Sequence, residues 1–312
     1  MGDLFSDDFR DEILRARVMA RLRDLPLAPT TEAEVVAAMQ ADRASAVQLT
    51  AAVVRDAALT AKLLHLANAG RSRPGREVAT PREAIVLVGF DTVEALAAGA
   101  VIATSLDSGA GRTLFEPECF WRHSFAVGLC AQLLAEHRAG VCPRTAFVGG
   151  LLHDLGKLVL ACCVPAEFDA ACQGAAGGRW PLLCCERREL GFDHATAGWW
   201  LARQWNLPAA LARAIAFHHR FEPRAEDLEL LATVHLANVY VRALSRRSPS
   251  MGLGFSGDAS LPIADSGARS LLGLPANPSE DLTDRLLAEL ERSDALFGTP
   301  QADSRERAEV VA

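Results

Sequence analysis

Gly149-Gly150-Leu151-Leu152-His153-Asp154-Leu155-Gly156-Lys157 places a histidine, a carboxylate and a lysine inside an apolar, helix-forming run. On a helix, adjacent residues point about 100° apart, so His153 and Asp154 are able to reach one cation or two close ones. The two oxygens of a carboxylate also allow it to bridge cations. Lys157 lies four residues after His153 and three after Asp154, which sets it on their face. Gly156 leaves space for a ligand or for a packed helix. Only two of the 32 cationic residues are lysine, Lys62 and Lys157. In a chain whose default cation is arginine, a lysine beside His-Asp reads as a compact ammonium placed for a phosphate.

Working outward, seven of the eight histidines fall after Glu116. His123 sits in Trp121-Arg122-His123-Ser124, and His194 in Gly191-Phe192-Asp193-His194-Ala195-Thr196-Ala197-Gly198. His218-His219 follows Ala214-Ile215-Ala216-Phe217. Imidazoles together with a carboxylate suit Fe, Mn, Ni or Zn rather than Ca or Mg. Two such ions about 3.5–4 Å apart clamp a phosphoryl group and generate hydroxide at neutral pH. His153, Asp154 and the His218-His219 pair are thereby candidate ligands for one or two divalent ions, and His123 and His194 are further imidazoles in the same part of the chain. Asp154 and Lys157 are the expected catalytic pair. His65, His137 and His235 read as structural, and Trp199-Trp200 with Trp205 as packing residues.

The rest of the chain reads as helices. Helices are expected over 6–23, from Thr80-Pro81, and over 117–137, 144–163, 181–189, 193–204, 208–218, 226–245 and 279–296. No stretch shows the period-2 alternation of strands. Residues 246–278, rich in Ser, Gly, Pro, Ala and Asp, read as loosely ordered. The expected organisation is an N-terminal helical part over 1–113, a His/Asp-bearing part over 114–245, and a flexible segment with a last helix over 246–312.

The net charge of −7 and pI near 5.7 argue against nucleic acid as the partner. The basic loop Arg71-Ser72-Arg73-Pro74-Gly75-Arg76 is the exception in this acidic chain. The acidic N-terminus lacks a secretory pattern, and no run of about 20 residues spans a membrane free of charges and breakers. The expected location is cytoplasmic. The eight cysteines, all between Cys119 and Cys185, form no C-x-x-C pair and read as buried, reduced side chains.

The order His123, His153-Asp154, His194-x-x-x-Gly198, His218-His219 resembles that of HD-domain phosphohydrolases, particularly the HD-GYP cyclic-di-GMP phosphodiesterases. Asp56-Ala57-Ala58-Leu59-Thr60-Ala61-Lys62-Leu63-Leu64-His65-Leu66-Ala67-Asn68 and Thr80-Pro81-Arg82-Glu83-Ala84-Ile85-Val86-Leu87-Val88-Gly89 narrow the resemblance to the HDOD domain. Trp205-Asn206-Leu207-Pro208 and Ile215 to His219 match it as well, so that the likeness covers roughly residues 20 to 245. It implies an all-α, HD-like multi-helix bundle with an N-terminal helical subdomain. By the same resemblance, Asp154, His194, His218 and His219 complete one cation site. His123, His153 and Asp154 form the other, with an aspartate at the position held here by Asn238. The G-Y-P motif is absent, and Arg220-Phe221-Glu222-Pro223 replaces the usual acidic neighbour of His219.

The implied role is a bacterial signalling module whose pocket takes a metal or a nucleotide second messenger and controls a protein partner. The rival is a metal-dependent phosphohydrolase acting on a nucleotide or cyclic dinucleotide. A third reading is a scaffold without metal.

Overall fold

The computed structural model describes residues 6–23, 63, 67, 78, 80–88, 117–136, 140–176, 178, 180–204, 207–247 and 263–293. Among them there are helices and turns and no strand. The expectations for Asp56, His65, His137, Trp205, the loop 71–76 and the tail from Gly298 lie outside the described residues.

Helix α1 (Ser6–Arg23) buries Leu14, Val18 and Leu22, one residue per turn along a single stripe. Helix α2 (Pro81–Val88) starts where Thr80 and Pro81 predict it. Thr80 Oγ1 accepts from the Glu83 backbone N–H at 3.3 Å, satisfying a donor at the helix start. Helix α3 (Pro117–Glu136) is buried along most of its length.

The continuous helix expected over 144–163 is in fact two helices, α4 (Pro143–Leu152) and α5 (Leu155–Cys163). His153 and Asp154 form the turn between them, and Asp154 adopts φ −98°, ψ 8°. That conformation belongs to the bridge region, outside the helical well, so the helix ladder stops there. The stretch Pro143–Cys163 is apolar and long enough to cross a membrane, but its most apolar part is buried inside the fold.

Two further helices correct the sequence reading. The expected helices leave a gap after residue 163, where Pro165 opens α6 (Pro165–Ala176), because proline fits the first helical turn, where its missing N–H costs nothing. Phe168, Ala171, Cys172 and Ala175 are buried from it at helical spacing. Then come α7 (Leu182–Leu190), α8 (His194–Gln204), α9 (Ala209–Phe217) and α10 (Leu228–Arg247). The segment read as loosely ordered contains α11 (Ser266–Leu272), capped by Asp265, whose carboxylate accepts from the Gly267 and Ala268 N–H groups. The hydroxyl of Tyr240 on α10 donates to the Pro275 carbonyl at 2.5 Å and ties this segment down. Helix α12 (Glu280–Ser293) closes the described chain against α3.

One hydrophobic cluster runs from Leu14 to Leu290. Around it, α3 packs on α4 and α10, α8 on α5 and α9, and α1 on α5, α7 and α8. Arg21 on α1 donates to the Cys162 carbonyl at 2.9 Å and Arg17 to the Cys163 carbonyl at 3.3 Å. Two guanidinium groups thereby satisfy the last carbonyls of α5. The eight cysteines are free; Cys142 and Cys184 are exposed, contrary to the uniformly buried expectation.

Close backbone approach sets the two crossings that matter most for the site. A Cβ on Gly150 of α4 would meet Val127 O at 2.7 Å and Gly128 N at 2.8 Å on α3. On Gly156 of α5 it would collide with His194 O and meet Gly198 N at 2.6 Å on α8. The helices carrying Asp154 and His194 therefore touch backbone to backbone. Gly156→Ala is expected to cost about 3 kcal/mol or more, the upper range of overpacking in a close-packed core. Thermal unfolding followed by circular dichroism measures it; an unchanged midpoint would show that the crossing is not this tight.

Candidate metal centre

Asp154 is 1 % exposed and stands at the centre of the cluster. Its Oδ2 receives Lys157 Nζ at 2.7 Å and lies 3.3 Å from His153 Nε2 and 3.7 Å from His123 Nε2. Its Oδ1 lies 3.3 Å from both His194 Nε2 and His218 Nε2, yet accepts no hydrogen bond. Burial works to raise its pKa, but His153 and Lys157 hold it well below the usual carboxylate range. The group is therefore an ionised carboxylate, each of whose oxygens serves a different set of neighbours.

Each ring is aimed by what its other nitrogen does. A carbonyl oxygen only accepts, so the ring nitrogen facing it carries the proton. His153 Nδ1–H donates to Gly150 O at 2.6 Å, and His218 Nδ1–H donates to Ile215 O at 2.7 Å. Both acceptors lie three residues earlier, at the end of the preceding helix. In both rings Nε2 is left with a bare lone pair, buried and without a hydrogen-bond partner. At 3.3 Å, His218 Nε2 and Asp154 Oδ1 are two acceptors facing each other. Burial lowers the pKa of His218 to about 4, so the ring does not relieve this contact by protonation near neutral pH. A cation between the two would. The donor set of imidazole nitrogens and a carboxylate is that of a transition-metal site.

His194 is held differently. Asp193 accepts from the Thr196 backbone N–H and hydroxyl, both at 2.8 Å, and so caps α8 and fixes His194 at its first position. The carboxylate of Glu186 on α7, fully buried, accepts from His194 Nδ1 at 2.6 Å and from its backbone N–H at 3.0 Å. Burial would lower the His194 pKa, but Glu186 and Asp154 raise it to about 9. His194 Nε2 faces His219 Nε2 at 2.7 Å. His219 itself is half-buried; burial and the neighbouring His218 hold its pKa well below the ordinary value.

Two groups of ligand atoms, each within 4.8 Å of one another, are able to hold an ion: Asp154, His194, His218 and His219, and His123, His153 and Asp154. All six expected metal residues, together with Lys157, thus converge on one side-chain cluster around Asp154. Asn238 is buried on α10, and its Oδ1 has no hydrogen-bond partner. His235 is structural, as expected: its Nδ1–H donates to the His218 carbonyl at 2.9 Å, while its Nε2 accepts from the Asp265 N–H at 3.1 Å. Trp200 packs inward against Phe192, but Trp199 is 41 % exposed.

Glu186 escaped the sequence reading. It lies in Cys184-Cys185-Glu186-Arg187-Arg188-Glu189, where it resembles any surface glutamate. Only its seven-residue spacing to the Asp193 cap carried a signal, and spacing alone does not distinguish it from Glu189. Glu186→Ala removes the main group raising the His194 pKa. NMR titration of the His194 ring in the metal-free protein is then expected to give a midpoint below about 6.5, the ordinary histidine value. A midpoint still near 9 would refute the role given to Glu186.

The family model for the HDOD domain matches residues 25–221, more than half of the chain. An uncharacterized protein of Treponema pallidum (strain Nichols) is 27 % identical over 242 residues. That match covers 76 % of this chain and 46 % of the relative, so the chain spans less than half the relative's length. Three solved structures share the fold. The HDOD domain protein of unknown function from Geobacter sulfurreducens aligns at TM-score 0.59 and 23 % identity, covering 96 % of this chain and 99 % of that one. A candidate phosphohydrolase from Shewanella amazonensis SB2B aligns at 0.61 and 22 %, covering 91 % and 98 %. A candidate signal transduction protein from Marinobacter aquaeolei VT8 aligns at 0.62 and 20 %, covering 95 % and 66 %. With its family model matched across both halves, this all-helical chain belongs to the HDOD domain family.

Proposed function

We propose that the chain is a bacterial signal-transduction protein whose HD-like pocket takes a divalent metal, or a nucleotide bound through it, and thereby regulates a protein partner. The observation that carries this reading is the facing pair of buried acceptors, His218 Nε2 and Asp154 Oδ1, at 3.3 Å. Buried lone pairs set against each other are stabilised when a cation joins them. Asp154, His194, His218 and His219 would hold the ion, drawn from Fe, Mn, Ni or Zn. His123 and His153 supply further imidazoles beside it. When bound, such an ion would polarise a phosphoryl oxygen and acidify a water molecule.

Family membership and the signal-transduction label of the Marinobacter protein support a regulatory role. So does the internal wiring. The hydrogen bonds of His235 join the His218 backbone to the N-cap of α11, beside Ile263, which is 87 % exposed, and Leu271. In this reading, occupancy of the pocket would reach this surface segment through that one side chain. The expected location is the cytoplasm, where the free cysteines would stay reduced.

A buried lysine beside the central carboxylate favours a second reading, a metal-dependent phosphohydrolase acting on a nucleotide or cyclic dinucleotide. There Asp154 would anchor the reacting centre, and Lys157 would neutralise charge developing on a phosphate. The phosphohydrolase label of the Shewanella protein is in keeping with it.

Protein purified without chelator is expected to carry near-stoichiometric transition metal and to lose it in His218→Ala/His219→Ala, read by elemental analysis. Metal-free wild-type protein would leave only the scaffold reading. A screen of cyclic dinucleotides, nucleotides and model phosphodiesters with added Mn or Fe is expected to stay flat. Turnover that disappears in Asp154→Ala would move the assignment to the phosphohydrolase.

A further inference from the structure

The two sides of Asp154 are not equivalent. On the Oδ1 side, His218 Nε2 is a bare acceptor and no N–H or O–H donates to Oδ1. On the Oδ2 side, an ammonium is already in place, with Lys157 Nζ at 2.7 Å, and the lysine is 5 % exposed. His153 presents its lone pair to that same oxygen at 3.3 Å, and His123 Nε2 stands farther off at 3.7 Å.

Charge points the same way. The carboxylates in contact with the ring cluster are Asp154 and Glu186, and Glu186 is engaged by His194. Among the described residues these two carboxylates supply −2 and Lys157 +1, so one divalent ion leaves the cluster at +1 and a second would leave it at +3. A second would add its whole charge to a buried cavity without a new counter-ion, a cost that burial makes severe. The position where the family resemblance puts another carboxylate holds the amide of Asn238. Moreover, the positive charges of Lys157 and Arg242 both act on His123, the outermost ligand of the second group.

We propose that this pocket holds a single divalent ion, on Asp154 Oδ1 with His194, His218 and His219, and that the Lys157 ammonium replaces a second ion on Oδ2. The proposal deepens the metal-binding reading above and rests on it. In this arrangement His123 and His153 accompany the lysine rather than a metal. The ligand recognised there is an anionic oxygen, such as one phosphoryl oxygen of a nucleotide, contacted by a metal on one side of Asp154 and by an ammonium on the other. Such a site neutralises phosphate charge, yet lacks the paired ions that clamp an attacking and a leaving oxygen.

The test counts ions in the full-length chain. Protein stripped with chelator is exposed to excess Mn(II), freed of unbound ion by gel filtration, and measured by elemental analysis and electron paramagnetic resonance. Native protein and Asn238→Asp are both expected to retain one ion per chain with an uncoupled Mn(II) spectrum. Lys157→Met/Asn238→Asp, with the ammonium removed and a carboxylate added, is expected to retain two with a spin-coupled spectrum. Two ions in the native chain would overturn the proposal while leaving the metal reading intact. No retained ion in the native chain would overturn both. A single ion in a folded Lys157→Met/Asn238→Asp protein would show that Lys157 does not hold the second place. Should that double variant fail to fold, the native and Asn238→Asp counts still decide the ion number.

Discussion

A single ionised carboxylate, buried and shared among five neighbours, is the constraint around which this protein is arranged. Burying a charge is costly unless every lone pair finds a partner. Asp154 meets that demand unequally, with Lys157 on one oxygen and only ring nitrogens on the other. The turn between α4 and α5 exists where this residue sits, and the glycine crossing at Gly156 brings the first turn of α8 against it. Backbone geometry and site chemistry are consequently one problem: loosening the helix crossing moves His194 relative to Asp154.

Ring orientation is handled by the backbone and by one buried glutamate. His153 and His218 each bond a carbonyl three residues earlier, at a helix end whose last carbonyls lack intrahelical partners. The helix termini thus gain a donor and the imidazoles gain a fixed tautomer. His194, at a helix start, has no such carbonyl beside it and uses Glu186 instead. A carboxylate behind an imidazole makes the ring more basic and holds its orientation, which is how outer groups commonly tune a metal ligand.

Outside the pocket, two distant segments are fastened to the same helices. Arginines of α1 close the end of α5, while His235 and Tyr240 of α10 hold the stretch from Asp265 to Pro275. Residues widely separated in the chain are therefore in mechanical contact with the cluster.

Much was legible in the sequence alone. The helical class followed from periodicity, and α1, α3, α8 and α10 appear within a residue or two of their expected ends, because proline, glycine and capping residues mark them locally. The residues of the His/Asp cluster were legible too, since His-Asp and His-His pairs among apolar neighbours are chemically conspicuous. Other features depended on tertiary contact. The break at His153-Asp154 lies in a run without proline, α6 opens at a proline in a stretch given no helix by the sequence, and Glu186 looks like any surface glutamate. What separates the two oxygens of Asp154 is also beyond sequence spacing: a lysine three residues away shares the carboxylate's face, but only packing decides which oxygen it occupies and which faces ring nitrogens alone.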